Sequence, residues 1–404
     1  MPRRLFDHTR ARGEGNHELC PAASSIVHRW GGKRRRTAPP EAHRPRFPAL
    51  TGPCVSLTKH QGRSKIGLYE SLGGSSRRWR VRSRREGGFE YGLLLTITLN
   101  AAVDRTYTIP GFALNRVHRP AGFRAVAGGK GINVARVFKE LGGHVVAGGF
   151  LGGHNGELIA DGLKQEGIPA QFVWTREESR TCIAVIDPDA QTQTEVNENG
   201  PTVTAEEVRE LIRLFADLLG GVQAVTLSGS LPPGCPDDIY ATLISLARDA
   251  GVLCALDASG TPLLKGWRAR PDIVKCNNFE LSALRADAGT SVDDVTKAAL
   301  SLLGEGTHEA IVTLGARGAV AAADGQVWYA PSPKVEFVSA VGSGDAFLAA
   351  YMWAKMKGEN VPSCLAWGVA AGAANAAVYG AGFCQRHRIQ ELRATCAPEA
   401  QIPE

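Results

Sequence analysis

An α/β fold on a mostly parallel sheet is what this sequence predicts, and three observations predict it. Short, charge-free apolar runs rich in β-branched residues recur along the chain, as strands buried on both faces require. Segments of helical period alternate with them, the order of a parallel sheet covered on both sides. Glycine-rich and polar turns follow the runs, and open parallel sheets bind ligands at those carboxyl ends.

The first run is 93–99 (LLLTITL), and others follow at 145–150, 224–227, 252–256, 273–274 and 310–314. Helical patterns lie between them at 131–141, 155–166, 205–219, 237–250, 278–286 and 292–303. The most apolar stretch, 368–383, is too short to span a membrane and contains Asn375 and four glycines, so it predicts a core helix. Two segments, 105–126 and 180–198, break the alternation with extended, alternating residues. They predict a small β-sheet projecting from the α/β core, placed to act as a lid.

Residues 1–92 differ in kind. They carry 20 Lys+Arg against 7 Asp+Glu, so the remaining 312 residues of the 404 hold a net −7 beneath the overall +6. The high isoelectric point therefore belongs to the first quarter, and charge alone does not make the chain a nucleic-acid partner. With no sustained period and many Pro, Gly and Ser, 1–92 is expected to be a disordered basic extension. The globular domain is expected over 93–396, with 397–404 as a C-terminal tail. The nine cysteines show no ligand spacing and are odd in number. That fits reduced thiols and a cytoplasmic location rather than a zinc site.

Six turns carry the chemistry. In 338–350 (VSAVGSGDAFLAA), Gly342, Ser343 and Gly344 precede Asp345 at the start of a helix. Small residues there let backbone N–H groups converge on an anion, and a carboxylate beside them can accept a proton from a hydroxyl. A plain N-cap role for Asp345 is the alternative. Residues 127–136 (AGGKGINVAR) open a helix with a glycine turn that is no Walker A loop, since Gly131 follows Lys130. Its N–H groups and Asn133 suit hydroxyls, and Lys130 a phosphate; an ordinary tight turn reads the same residues. In 275–281 (KCNNFEL), Asn277 and Glu280 lie three apart. The carboxylate there could hold Mg²⁺ through water or simply cap the helix. Ser230 in 228–234 (SGSLPPG) and Asp104 in 100–104 (NAAVD) end buried strands, as do Gly315 and Gly318 in 313–319 (TLGARGA). No GxGxxG follows the first strand, which excludes a dinucleotide-binding oxidoreductase.

In this combination and order the motifs resemble the PfkB (ribokinase-like) family of carbohydrate kinases, hexose-phosphate branch, from about residue 93 to 393. The resemblance implies a three-layer α/β/α sandwich with a mostly parallel central sheet and a β-lid. It implies transfer of the γ-phosphate of ATP, with Mg²⁺, to a sugar hydroxyl. Asp345 matches the general base and 342–344 the anion hole. Asp104, Gly128, Gly129, Lys130, Asn133 and Ser230 match sugar-binding positions, and Arg180 a residue near the substrate's own phosphate. Lys275, Asn277, Thr313, Gly315, Gly318, Val369 and Ala373 match nucleotide-lining positions, and Glu280 the Mg²⁺-associated glutamate. The chain departs from the pattern at Ala101, Cys276 and Ala340, where Pro, Pro and Thr are common; none of the three removes a charged group. The expected acceptor is a ketohexose monophosphate: fructose 1-phosphate, with tagatose 6-phosphate or fructose 6-phosphate as alternatives. A catalytically silent sugar-phosphate sensor is the non-enzymatic rival. The lid would also permit a homodimer.

Overall fold

A computed structural model describes residues 92–285, 289–303 and 307–401, together with three upstream strands as backbone. Those strands, β1 (Cys54–His60), β2 (Arg63–Leu72) and β3 (Ser75–Arg80), pair antiparallel in their own sheet. The rest of the expected extension lies outside the described residues.

The domain begins with β4 (Leu93–Thr98), β5 (Ala102–Thr108), β6 (Gly122–Gly128), α1 (Lys130–Glu140), β7 (His144–Gly152) and α2 (Gly153–Gln165). It continues through β8 (Ala170–Thr175), β9 (Arg180–Asp187), β10 (Thr192–Asn197), α3 (Ala205–Leu219), β11 (Ala224–Ser228) and α4 (Ile239–Asp249). Next come β12 (Leu253–Asp257), α5 (Gly260–Arg268), β13 (Ile273–Asn277), α6 (Asn278–Leu284), α7 (Val292–Leu303) and β14 (Glu309–Thr313). The chain closes with β15 (Ala319–Ala323), β16 (Gln326–Ala330), α8 (Ser343–Met356), α9 (Val361–Ala376), α10 (Arg386–Arg393) and β17 (Glu399–Gln401).

Ten strands form the main sheet in the order β17-β16-β15-β14-β13-β12-β11-β4-β7-β8, parallel from β14 to β8 and antiparallel beyond β14. Alternation along β4 fixes the layers. Leu94 joins the cluster beneath α1, α2, α8, α9 and α10, while Leu93, Leu95 and Ile97 join the cluster beneath α3 to α7. The sandwich thus has the expected three layers. Helices α8 and α9 are apolar nearly all round and are correspondingly buried. A side chain at Gly368 of α9 would meet the Phe347 ring of α8 at 2.8 Å, so the glycine sets how closely the two helices approach.

The two extended segments form a separate four-stranded sheet, β10-β9-β5-β6, as the lid reading expects. Two boundaries need correction. The helix expected over 368–383 is Val361–Ala376, capped by Asn360 with Pro362 in its first turn. The residues after it turn at Gly380 and Gly382, whose φ values of 93° and 78° no ordinary helix allows. The expected C-terminal tail is in part strand β17, which pairs with β16. Helix α5 and strands β8, β15 and β16 carry no periodic signal strong enough to read from sequence; β15, for example, is AVAAA.

Candidate active site

The carboxyl ends of the parallel strands and the lid sheet enclose a cavity of about 990 Å³. Of the residues singled out in the sequence, Asp104, Gly129, Lys130, Asn133, Arg180, Lys275, Asn277, Thr313, Gly315, Gly318, Gly342, Ser343, Gly344, Asp345, Val369 and Ala373 all line it. Three do not. Gly128 lies behind Asp104, and a Cβ there would stand 2.1 Å from Asp104 Oδ2. Ser230 Oγ accepts a hydrogen bond from Asn100 Nδ2 at 3.3 Å, away from the cavity wall. Glu280 completes a capping box: its carboxylate accepts from the Asn277 N–H at 2.9 Å, while Asn277 Oδ1 accepts from the N–H groups of Phe279 and Glu280. The capping reading of Asn277 and Glu280 is thus realised, and it occupies one of the two carboxylate oxygens.

At the start of α8, Gly342 takes φ 76°, and a Cβ on it would stand 2.5 Å from the Cβ of Ala381. Only glycine fits there without strain. The Ser343 N–H turns back to Ala340 O, and the first helical closure is from the Ala346 N–H to Gly342 O. The helix start therefore presents first-turn N–H groups and a positive dipole end to the cavity. Asn375 on α9 holds this turn from behind: its Nδ2 donates to Val341 O and Ser343 Oγ, and its Oδ1 accepts from the Gly382 N–H.

Asp345 is 5% exposed, and its Oδ2 accepts from Asn133 Nδ2 at 2.9 Å. Burial pushes its carboxyl above the ordinary range, although Lys130 and the Asn133 hydrogen bond pull the other way. Asp104 is raised to about 6, chiefly by burial and against the pull of Arg180 and Arg136. No protein donor hydrogen-bonds the Asp104 carboxylate among the described residues, and it lines the cavity.

Asp257 is the main residue that sequence reading missed. It ends β12, is fully buried, and bridges two ammoniums: Lys130 Nζ at 3.0 Å from Oδ1 and Lys275 Nζ at 2.9 Å from Oδ2. Burial alone would push its carboxyl up, but the two lysines outweigh burial and hold it below the usual range. Burial likewise works against the Lys130 ammonium, and the carboxylates of Asp257, Asp345 and Glu280 more than offset it. Lys275 also reaches the anion turn, since a Cβ on Gly344 would stand 3.0 Å from its Nζ. The missed signal was a charged residue closing an apolar strand, the same signal that marks Asp104.

Arg180, on β9, donates from Nε to Asn100 O at 3.1 Å and from Nη1 to Glu198 O at 3.1 Å. Carbonyls orient the guanidinium without cancelling its charge, so it can still meet an anion. Thr313, Gly315, Gly318, Val369 and Ala373 also line the cavity, with two exposed aromatics, Phe279 and Phe337. Two cation sites and a helix N-terminus around one buried carboxylate can hold anionic groups beside a proton acceptor.

Residues 92–388 match the model of the pfkB family carbohydrate kinases. The chain is similar to a solved structure of a possible 1-phosphofructokinase from Thermotoga maritima, with 30% identity over 77% of this chain and 100% of that one, TM-score 0.71. It is also similar to phosphofructokinase-2 from Escherichia coli in complex with fructose-6-phosphate, with 27% identity over 75% of this chain and 99% of that one, TM-score 0.69. A ribokinase from Arabidopsis thaliana complexed with ribose and ATP shares the fold at 21% identity, covering 75% of this chain and 99% of that one, TM-score 0.61.

Proposed function

Because the chain belongs to the pfkB family of carbohydrate kinases and is a sugar kinase that moves phosphate to a hydroxyl, we propose that its reaction is ATP-dependent phosphorylation of a ketohexose monophosphate to the 1,6-bisphosphate. The preferred acceptor is fructose 1-phosphate. The observation that carries the reading is Asp345, buried at a glycine-shaped helix start, oriented by Asn133 and facing a cavity that also holds Lys130 and Arg180.

In this reading Asp345 accepts the proton of the sugar hydroxyl as that oxygen bonds to the γ-phosphorus and the bond to the β-phosphate oxygen breaks, releasing ADP. The N-terminus of α8 and the Lys275 ammonium stabilise the negative charge on the moving group. Asp104 and Asn133 orient sugar hydroxyls, and Arg180 with Lys130 holds the phosphate the sugar already carries. Among the described residues no protein donor meets the second carboxylate oxygen of Glu280, which would suit Mg²⁺. No group of three or more His, Cys, Asp or Glu residues could hold a metal ion among the described residues, so phosphates and water would complete the shell. A bound Mg²⁺ would neutralise phosphate charge there.

Fructose 6-phosphate is the second reading, supported by the similarity to the phosphofructokinase-2 complex, and tagatose 6-phosphate the third. The test is ADP release by the full chain with the three sugars in parallel. A preference in kcat/KM of about a hundredfold, ~2.7 kcal/mol, names the acceptor. No release with any of them refutes the ketohexose phosphate reading and favours a silent sensor. The exposed lid residues Phe123 and Val196 suit a homodimer through the lid, which sedimentation would detect. The seven free thiols among the described residues suit a cytoplasmic location, and no helix among those residues is long and apolar enough to cross a membrane.

A further inference from the structure

Arg136 follows Asn133 by one helical turn on α1, is 7% exposed and lies outside the cavity wall. A guanidinium can only donate, and each of its hydrogen-bond partners accepts. Nη1 donates to Asn133 Oδ1 at 3.0 Å and to Ala381 O at 2.9 Å, and Nη2 to Ala127 O at 2.7 Å. Nε and Nη2 fork onto the Glu166 carboxylate at 2.7 and 2.9 Å, and Cζ lies 4.4 Å from the centre of the Phe383 ring. Such a group has one orientation. Because Nη1 donates, Asn133 must turn its carbonyl oxygen to Arg136, and its amide N–H then faces Asp345 Oδ2 at 2.9 Å. The flipped amide would set donor against donor at Arg136 and acceptor against acceptor at Asp345.

We propose that Arg136 is a positioning residue for phosphoryl transfer: it fixes the Asn133 amide so that one oxygen of Asp345 is held by a donor and the other is left for the acceptor hydroxyl. This rests on the reading of Asp345 as general base. The same guanidinium holds the carbonyl of Ala381, the residue packed against Gly342, so one side chain supports both the base and the back of the anion turn. A donated hydrogen bond favours the ionised carboxylate. Losing it therefore raises the pH at which Asp345 becomes able to accept a proton.

The test is the pH profile of kcat for the full chain and for Arg136→Gln, Arg136→Lys, Asn133→Asp and Asp345→Asn. We expect Arg136→Gln to lose about 10–100-fold in kcat, with the acid limb moved to higher pH and the KM for ATP little changed. Arg136→Lys, which keeps a donor but not the fork, should recover part of the rate. Should Arg136→Gln fail to fold, because Glu166 loses its partner, Asn133→Asp decides. Its carboxylate still accepts from Arg136 but cannot donate to Asp345, so the same limb shift is expected. An unshifted acid limb in the folded variants, with Asp345→Asn inactive, overturns this inference and leaves the base assignment standing. Wild-type turnover by Asp345→Asn overturns the base assignment, and this inference with it.

Discussion

Replacing Asp257 with Asn would leave two cavity-lining ammoniums facing a neutral amide. The carboxylate is fully buried and divides its oxygens between Lys130 at 3.0 Å and Lys275 at 2.9 Å. The two halves are not equal. The Lys130 side chain keeps 35% of its exposure, so solvent screens its loss and about 1 kcal/mol or less is at stake there. Lys275 is 3% exposed, and removing the partner of a buried charge costs about 3–5 kcal/mol. The amide oxygen can still accept from one lysine, which places the sum near the lower end, about 3 kcal/mol. At about 2.1 cal/mol/K per residue over roughly 300 residues, Tm falls by ~5 °C. The sign with pH follows from the depressed carboxyl of Asp257. Its contribution is complete above the pKa of an unfolded aspartate and is lost as pH falls through the lower folded value. The gap between wild type and Asp257→Asn is thus widest near neutrality and narrows in acid. Calorimetric unfolding at several pH values, with the KM for ATP measured alongside, checks it. An unchanged Tm at neutral pH would refute the claim that Asp257 is the counter-charge both lysines require.

Asp345→Asn should reduce kcat by about 10²–10⁴-fold while ATP binding, measured by calorimetry, persists. In the wild type kcat should fall as acid protonates the base, at a pH above the ordinary carboxylate range because burial raises that group. Gly128→Ala should raise the sugar KM and spare the ATP KM, since the new methyl meets Asp104 Oδ2 at 2.1 Å; the overpacking costs about 1–3 kcal/mol of stability by thermal melt. Arg180→Ala should weaken phosphosugar binding by about 10–100-fold, the worth of a charge-assisted hydrogen bond, in a titration of sugar KM. An unaltered KM there would remove Arg180 from phosphate recognition.

Much of the fold was legible because its signals are local. The run at 93–99 reads as a strand buried on both faces, and the glycines before Asp345 mark a turn that opens a helix. The capping box at Asn277 and Glu280 was written in their spacing, although spacing alone could not separate capping from metal binding. Helix α9 misled because its alanine-rich period continues past Ala376, and only the positive φ of Gly380 and Gly382 ends it. The tail was missed because Glu399–Gln401 is three residues long and acquires strand geometry from β16 alone.

What the sequence determined by itself, then, is the order of strands and helices, the turns at strand ends and the kinds of side chain set there. Periodicity and backbone sterics act over a few residues, so these can be read along the chain. What only the tertiary structure decided is which charges meet. Asp257 lies 127 residues from Lys130 and 18 from Lys275, and Asn133 lies 212 from Asp345. Parallel strand order brings their ends together, and in that buried space each charge depends on its neighbours. The direction in which each group's ionisation moves follows from that folded arrangement.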